Sequence, residues 1–85
     1  MQILKYYTTQ TDLANALKFI VDEYLNNNIS EDKMAENIID LINSNPDKYY
    51  KGKENNPEEI NSKVRIVLGK RRLSLINNVL RQVRG

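Results

Sequence analysis

A chain of 85 residues with 40% hydrophobic and 28% charged side chains is apolar enough to fold as one small domain, yet at this length it buries only roughly 60 to 65% of its unfolded surface. It has no cysteine and no histidine, which excludes disulfides, thiolate nucleophiles, imidazole bases and the usual zinc and haem ligands, and fits a reducing, cytoplasmic setting. Its net charge of +2 hides two unlike halves: residues 1–50 carry four Lys and eight Asp or Glu, net −4, and residues 51–85 carry nine Lys or Arg and three Glu, net +6.

Met1 to Tyr7 is apolar and aromatic but too short to classify by period, and reads as an extended segment or a short strand. Thr9 and Thr11 both offer an N-cap hydroxyl, and with Thr9 as cap Asp12 falls at the third helical position. Leu13, Ala16, Leu17, Ile20, Val21, Tyr24 and Leu25 recur at three- and four-residue steps, which predicts a helix over about 10–26 ended by Asn26-Asn27-Asn28, because Asn tolerates left-handed angles. No stretch is apolar for long enough to span a bilayer, and the N-terminus has no charged region leading into an apolar run, so neither a membrane span nor a secretion signal is expected.

Ser30 ahead of Glu31 and Asp32 is a second helix start, with carboxylates at the positive end of the dipole. Met34, Ala35, Ile38, Ile39, Leu41 and Ile42 give this helix, about 31–43, its buried face, and Pro46 pushes Asn45 out of the helical region. Asp32, Glu36 and Asp40 lie four apart on the outer face and read as a solvated row. Residues 47–56 read as the one real loop. Asn56-Pro57-Glu58-Glu59 then signals a third helix, about 57–68, with Ile60, Val64, Val67 and Leu68 as its stripe. Gly69 either ends that helix or sits inside a continuous one, and its cost of ~1 kcal/mol against alanine favours a break.

From Ile60 onward there are seven basic residues and no acid. In the fourth helix, about 70–83, Leu73, Ile76, Val79, Leu80 and Val83 cover one face with Leu75 at its edge, while Lys70, Ser74, Asn77, Arg81 and Arg84 form an opposite row flanked by Arg71 and Asn78. These residue types contact phosphates and base edges. A short helix, a turn and a basic helix is also the outline of a helix-turn-helix, although the position four before the glycine, usually small, is Arg65. Tyr49, Tyr50, Lys51 and Lys53 interleave aromatics with cations as single-strand binders do, or else the two tyrosines cover the edge of the core together with Tyr6 and Tyr7. A solvated basic face balancing the acidic half is the bland alternative for the helical row. Ile29, Met34, Ile38, Ile42, Ile66 and Leu75 come in addition to the main stripes, so a homodimer or partner face is a further expectation.

The three glycines, Gly52, Gly69 and Gly85, are isolated, so there is no phosphate-binding loop, and no second acid faces the Asp32 row across a cleft. A non-enzymatic protein with no cofactor and no metal is expected.

Leu68-Gly69-Lys70-Arg71-Arg72-Leu73, continued by Ile76, Asn77 and Leu80, resembles a group of small uncharacterised proteins of low-GC Gram-positive bacteria and their phages and prophages. Thr11-Asp12-Leu13-Ala14 leading into Val21-Asp22-Glu23-Tyr24 is similar to their first helix, and Tyr50-Lys51-Gly52 to their middle loop. The resemblance implies a bacterial cytoplasm or a mobile element as habitat, and no chemistry.

The expected fold is all-α, a small four-helix domain with a short extended N-terminal segment. The expected function is a non-catalytic module whose basic C-terminal helix contacts nucleic acid through Lys70, Arg71, Ser74, Asn77, Arg81 and Arg84, with Tyr49, Tyr50, Lys51 and Lys53 as secondary contacts. The alternative is a phage or mobile-element accessory protein that inhibits or regulates a host protein through an apolar helix face.

Overall fold

A computed structural model of the protein describes residues 3–52 and 59–84, with side chains at the C-terminal end described as far as Gln82. The architecture is all-α: α1 (Gln10–Leu25), α2 (Glu31–Ser44), α3 (Pro46–Tyr49) and α4 (Ser62–Arg84). Residues 3–8 form an irregular lead into α1, with neither helix nor strand.

The helix boundaries follow from their caps. The Thr9 hydroxyl accepts from the Asp12 N–H at 3.1 Å, and the Ser30 hydroxyl accepts from the Lys33 N–H at 3.1 Å, so each satisfies a donor that its first turn leaves orphaned. At the far end of α1, Asn27 takes φ 61 while its N–H donates to the Tyr24 carbonyl and that of Asn28 to Glu23. This is a Schellman ending with Asn in place of the usual glycine.

α1 touches each of the other three helices and is the centre of the packing. Its buried face, Leu13, Ala14, Ala16, Leu17, Ile20 and Val21, meets Met34, Ile38, Leu41 and Ile42 of α2 and Val64, Leu68, Ile76, Val79 and Leu80 of α4 in one apolar cluster. Burying each large side chain of that cluster contributes roughly 1.5 to 3 kcal/mol before the entropy of ordering it is subtracted.

Two boundaries differ from the expectation. Residues 47–49 are not loop, because Pro46 fills the first position of a short helical turn, α3, where its missing N–H costs nothing. The helix expected from residue 57 starts instead at Ser62. Ile60, expected on a helical stripe, is drawn into an antiparallel bridge with Tyr50, in which the Lys51 N–H donates to the Glu59 carbonyl at 2.7 Å and the Asn61 N–H to that of Tyr49 at 2.9 Å. A residue committed to such a bridge cannot be helical, so Asn61 caps the helix, its side-chain oxygen accepting from the Lys63 N–H at 2.9 Å. The Asn56-Pro57 signal lies outside the described residues.

The apolar surplus expected from the sequence is mostly absorbed. Met34, Ile38 and Ile42 are buried, and Ile29 and Leu75 pack partly against the core. Ile66 stays 81% exposed, and Ile3, Leu4 and Tyr6 are exposed in the N-terminal lead.

Candidate nucleic-acid interface

The basic face depends on how α4 is bent. Gly69 adopts φ 76 and ψ 171, a non-helical conformation inside α4 that is open almost exclusively to glycine. The break divides α4 into two arms and aims the second, from Lys70 onward, on its own course. Arg72 joins the buried Ile76, Val79 and Leu80 in holding that course. Its Nε and Nη2 donate to the two carboxylate oxygens of Asp22 on α1 at 2.9 and 3.2 Å, and its Nη1 donates back across the break to the Leu68 carbonyl at 3.2 Å. One guanidinium thus ties the second arm to α1 and to the end of the first arm, using the planar fork that lysine lacks.

The other two cations of the Lys70-Arg71-Arg72 run are exposed. Among the described residues the ion pairs are Arg72–Asp22 and Lys48–Asp47, so Lys70, Arg71 and Arg81 face solvent without an acid partner. Ser74, Asn78 and Gln82 are exposed beside them. Steps of three, four and three put Arg71, Ser74, Asn78 and Arg81 in one row.

That row is displaced from the expected one. Asn77 is half-buried, and its side-chain oxygen is buried without a hydrogen-bond partner among the described residues, so of the two adjacent asparagines Asn78 is the one the surface presents. Lys70 keeps its place at the start of the arm. Arg84 belongs to the last turn of α4, and its side chain lies outside the described residues.

The aromatic contacts do not belong to this surface. Tyr49 is fully buried and Tyr50 is 3% exposed, their rings edge to face with centroids 4.9 Å apart. The short turn of α3 and the bridge to Ile60 turn both rings inward, where they serve as core and cannot stack on bases. Burial raises the Tyr49 pKa above its ordinary 10.0, with the neighbouring Tyr50 adding to the shift, and the Tyr49 hydroxyl has no partner among the described residues. Lys51 is exposed next to the bridge, and Lys53 lies outside the described residues.

One flank of the row opens into a groove of about 400 Å³ between the end of α1, the start of α2 and the second arm of α4. Tyr24, Met34, Leu75 and Val79 supply its apolar lining, and Glu31, Asn78, Arg81 and Gln82 its polar lining. Glu31 is the one acid among these lining residues. Asp32, Glu36 and Asp40 are exposed on α2, and no three acids converge on a point that could hold a metal among the described residues. No described helix is long and apolar enough to cross a membrane.

Sequence reasoning missed two polar residues, one beside this surface and one in the core. Arg72 looked like one more cation of a basic run, and only the approach of α1 singles it out. Asn45 is buried; its amide donates to the Lys5 and Leu41 carbonyls at 2.8 and 2.9 Å, and its oxygen accepts from the Tyr7 N–H at 3.0 Å. It clamps the N-terminal lead as a strand would, and the available signal, an Asn before Pro, points only to a turn.

A family described as conserved hypothetical protein matches residues 4–81, which includes Gly69, the Arg72 tie and the exposed row as far as Arg81. No curated protein and no solved structure matches the chain.

Proposed function

Because the chain belongs to that family of conserved hypothetical proteins, whose description assigns no activity, we propose a function from the surface itself: a non-catalytic module whose second α4 arm contacts nucleic acid or a complex that handles it. The observation that carries this reading is the exposed row of Arg71, Ser74, Asn78 and Arg81, preceded by Lys70 and without acid partners among the described residues. Exposed cations set along one helix face attract phosphate and release its counterions on binding.

The test is binding of labelled DNA and RNA over a salt series by the protein and by a variant with Arg81 and Arg84 replaced by Ala. The variant should bind more weakly, and its log–log salt slope should fall by roughly one for each phosphate contact removed. An unchanged slope would remove this arm from the interface.

A second reading rests on the groove. Its apolar lining beside Glu31 and Arg81 suits a protein side chain inserted between two opposite charges, as an accessory protein of a phage or other mobile element would use on a host protein in the bacterial cytoplasm. Its mark is a stoichiometric complex that changes little with salt and is lost on Leu75→Glu, at a groove residue only partly buried, provided the variant keeps its helical circular dichroism.

A further inference from the structure

The same face carries a narrower conclusion, which rests on the nucleic-acid reading above. We infer that its target is B-form duplex DNA, entered through the major groove by the second arm of α4, and that Asn78 is the amide that reads a base edge. Single strands are held by aromatic rings on which bases stack. From Ile60 to the C-terminus there is no aromatic residue, and the two tyrosines that might have served are in the core. The row itself therefore carries no stacking platform, and the one aromatic beside it, Tyr24, is half-buried in the wall of the groove.

What the arm presents instead is regular spacing of cations and hydrogen-bonding groups. From Lys70 it continues as helix to Arg84, about four turns and roughly 22 Å. A helix of that kind fits the wide major groove of B-form DNA, whereas the major groove of A-form RNA is too deep and narrow for side chains to read. Within the row, Arg71 and Arg81 bracket Ser74 and Asn78, so cations stand at the two ends, where backbone phosphates flank a groove, and the amide lies between them. The geometry of an Asn amide matches the adenine N6 and N7 pair. Asn77 does not offer that edge, because its side-chain oxygen is buried.

The experiment measures fluorescence anisotropy of labelled duplex DNA, the single strand of the same sequence and duplex RNA, over a salt series, after selection of preferred duplexes from a randomised pool. Duplex DNA should bind roughly tenfold or more tightly than the other two. N78A should lose roughly tenfold of discrimination at one base pair with unchanged helical circular dichroism, and N77A should keep that discrimination. Single strands or RNA bound as tightly as duplex DNA would overturn the duplex inference while leaving the basic-face reading in place. A pool that yields no preferred duplex, or discrimination that survives N78A, would overturn the assignment of Asn78. Absence of all nucleic-acid binding at low salt would instead overturn the parent reading.

Discussion

Gly69 and Tyr49 are single residues on which the fold concentrates opposite kinds of cost. A Cβ built on Gly69 would meet nothing within 4 Å, so alanine there is opposed by the backbone angles alone. Gly69→Ala should cost about 1 to 3 kcal/mol, read as a lower urea midpoint; an unchanged midpoint would mean the break accepts an ordinary residue. Tyr49 carries a buried hydroxyl without a partner, and Tyr49→Phe should raise stability at neutral pH by about 1 kcal/mol. It should also change the alkaline limb. Below the ordinary tyrosine value of 10.0 both folded and unfolded states keep the phenol proton and the contribution of Tyr49 is complete. Above that value the unfolded chain ionises first, and stability falls by up to about 1.4 kcal/mol per pH unit until the raised folded pKa is reached. Tyr49→Phe removes this share of the loss, and identical alkaline slopes in the two proteins would assign it to other groups.

At the scale of elements, two polar side chains hold pieces of chain that apolar packing alone would leave loosely placed. Asn45 satisfies Lys5, Tyr7 and Leu41 at once. Asn45→Ala should cost about 1 to 3 kcal/mol and raise hydrogen exchange at the Tyr7 amide, while exchange at Ile20 in the middle of α1 follows only the global loss. Equal acceleration at both amides would mean the clamp has no local role. The Arg72–Asp22 pair is about a third exposed, at 30% and 35%, so solvent screens it and the direct coupling is small, about 0.5 to 1 kcal/mol in a double-mutant cycle. The pair therefore adds to, and does not replace, the burial of Ile76, Val79 and Leu80 that holds the second arm against the core.

For the whole molecule, segregated charge is the dominant fact. Among the described residues the acids of the first half pair with only Arg72 of the α4 cations, and Glu31 alone among the groove-lining residues brings a negative charge beside Arg81. Glu31→Gln should therefore strengthen nucleic-acid binding several-fold at low salt and less at high salt, because a like charge near phosphate is removed and screening weakens what remains. An affinity unmoved at every salt concentration would place the bound phosphates away from the groove.

How much of this was legible in the sequence depends on the range of the interaction. Thr9, Ser30 and the asparagines after α1 announce their roles because a cap bonds to residues two to five positions away. The spacing of Leu13, Leu17, Ile20 and Val21 shows a buried face because helical geometry repeats every 3.6 residues. Gly69 was readable as a break because glycine costs about 1 kcal/mol against alanine in a helix interior. The sequence by itself therefore determined an all-α chain, most helix limits and a basic C-terminal end. Tertiary structure alone decided that Tyr49 and Tyr50 are core, that Ile60 pairs with Tyr50 and delays α4 to Ser62, that Arg72 belongs to Asp22 fifty residues earlier, and that Asn78 rather than Asn77 faces out. Each of these rests on a partner brought close by the packing of distant segments, and neither local propensity nor helical period carries information about that partner.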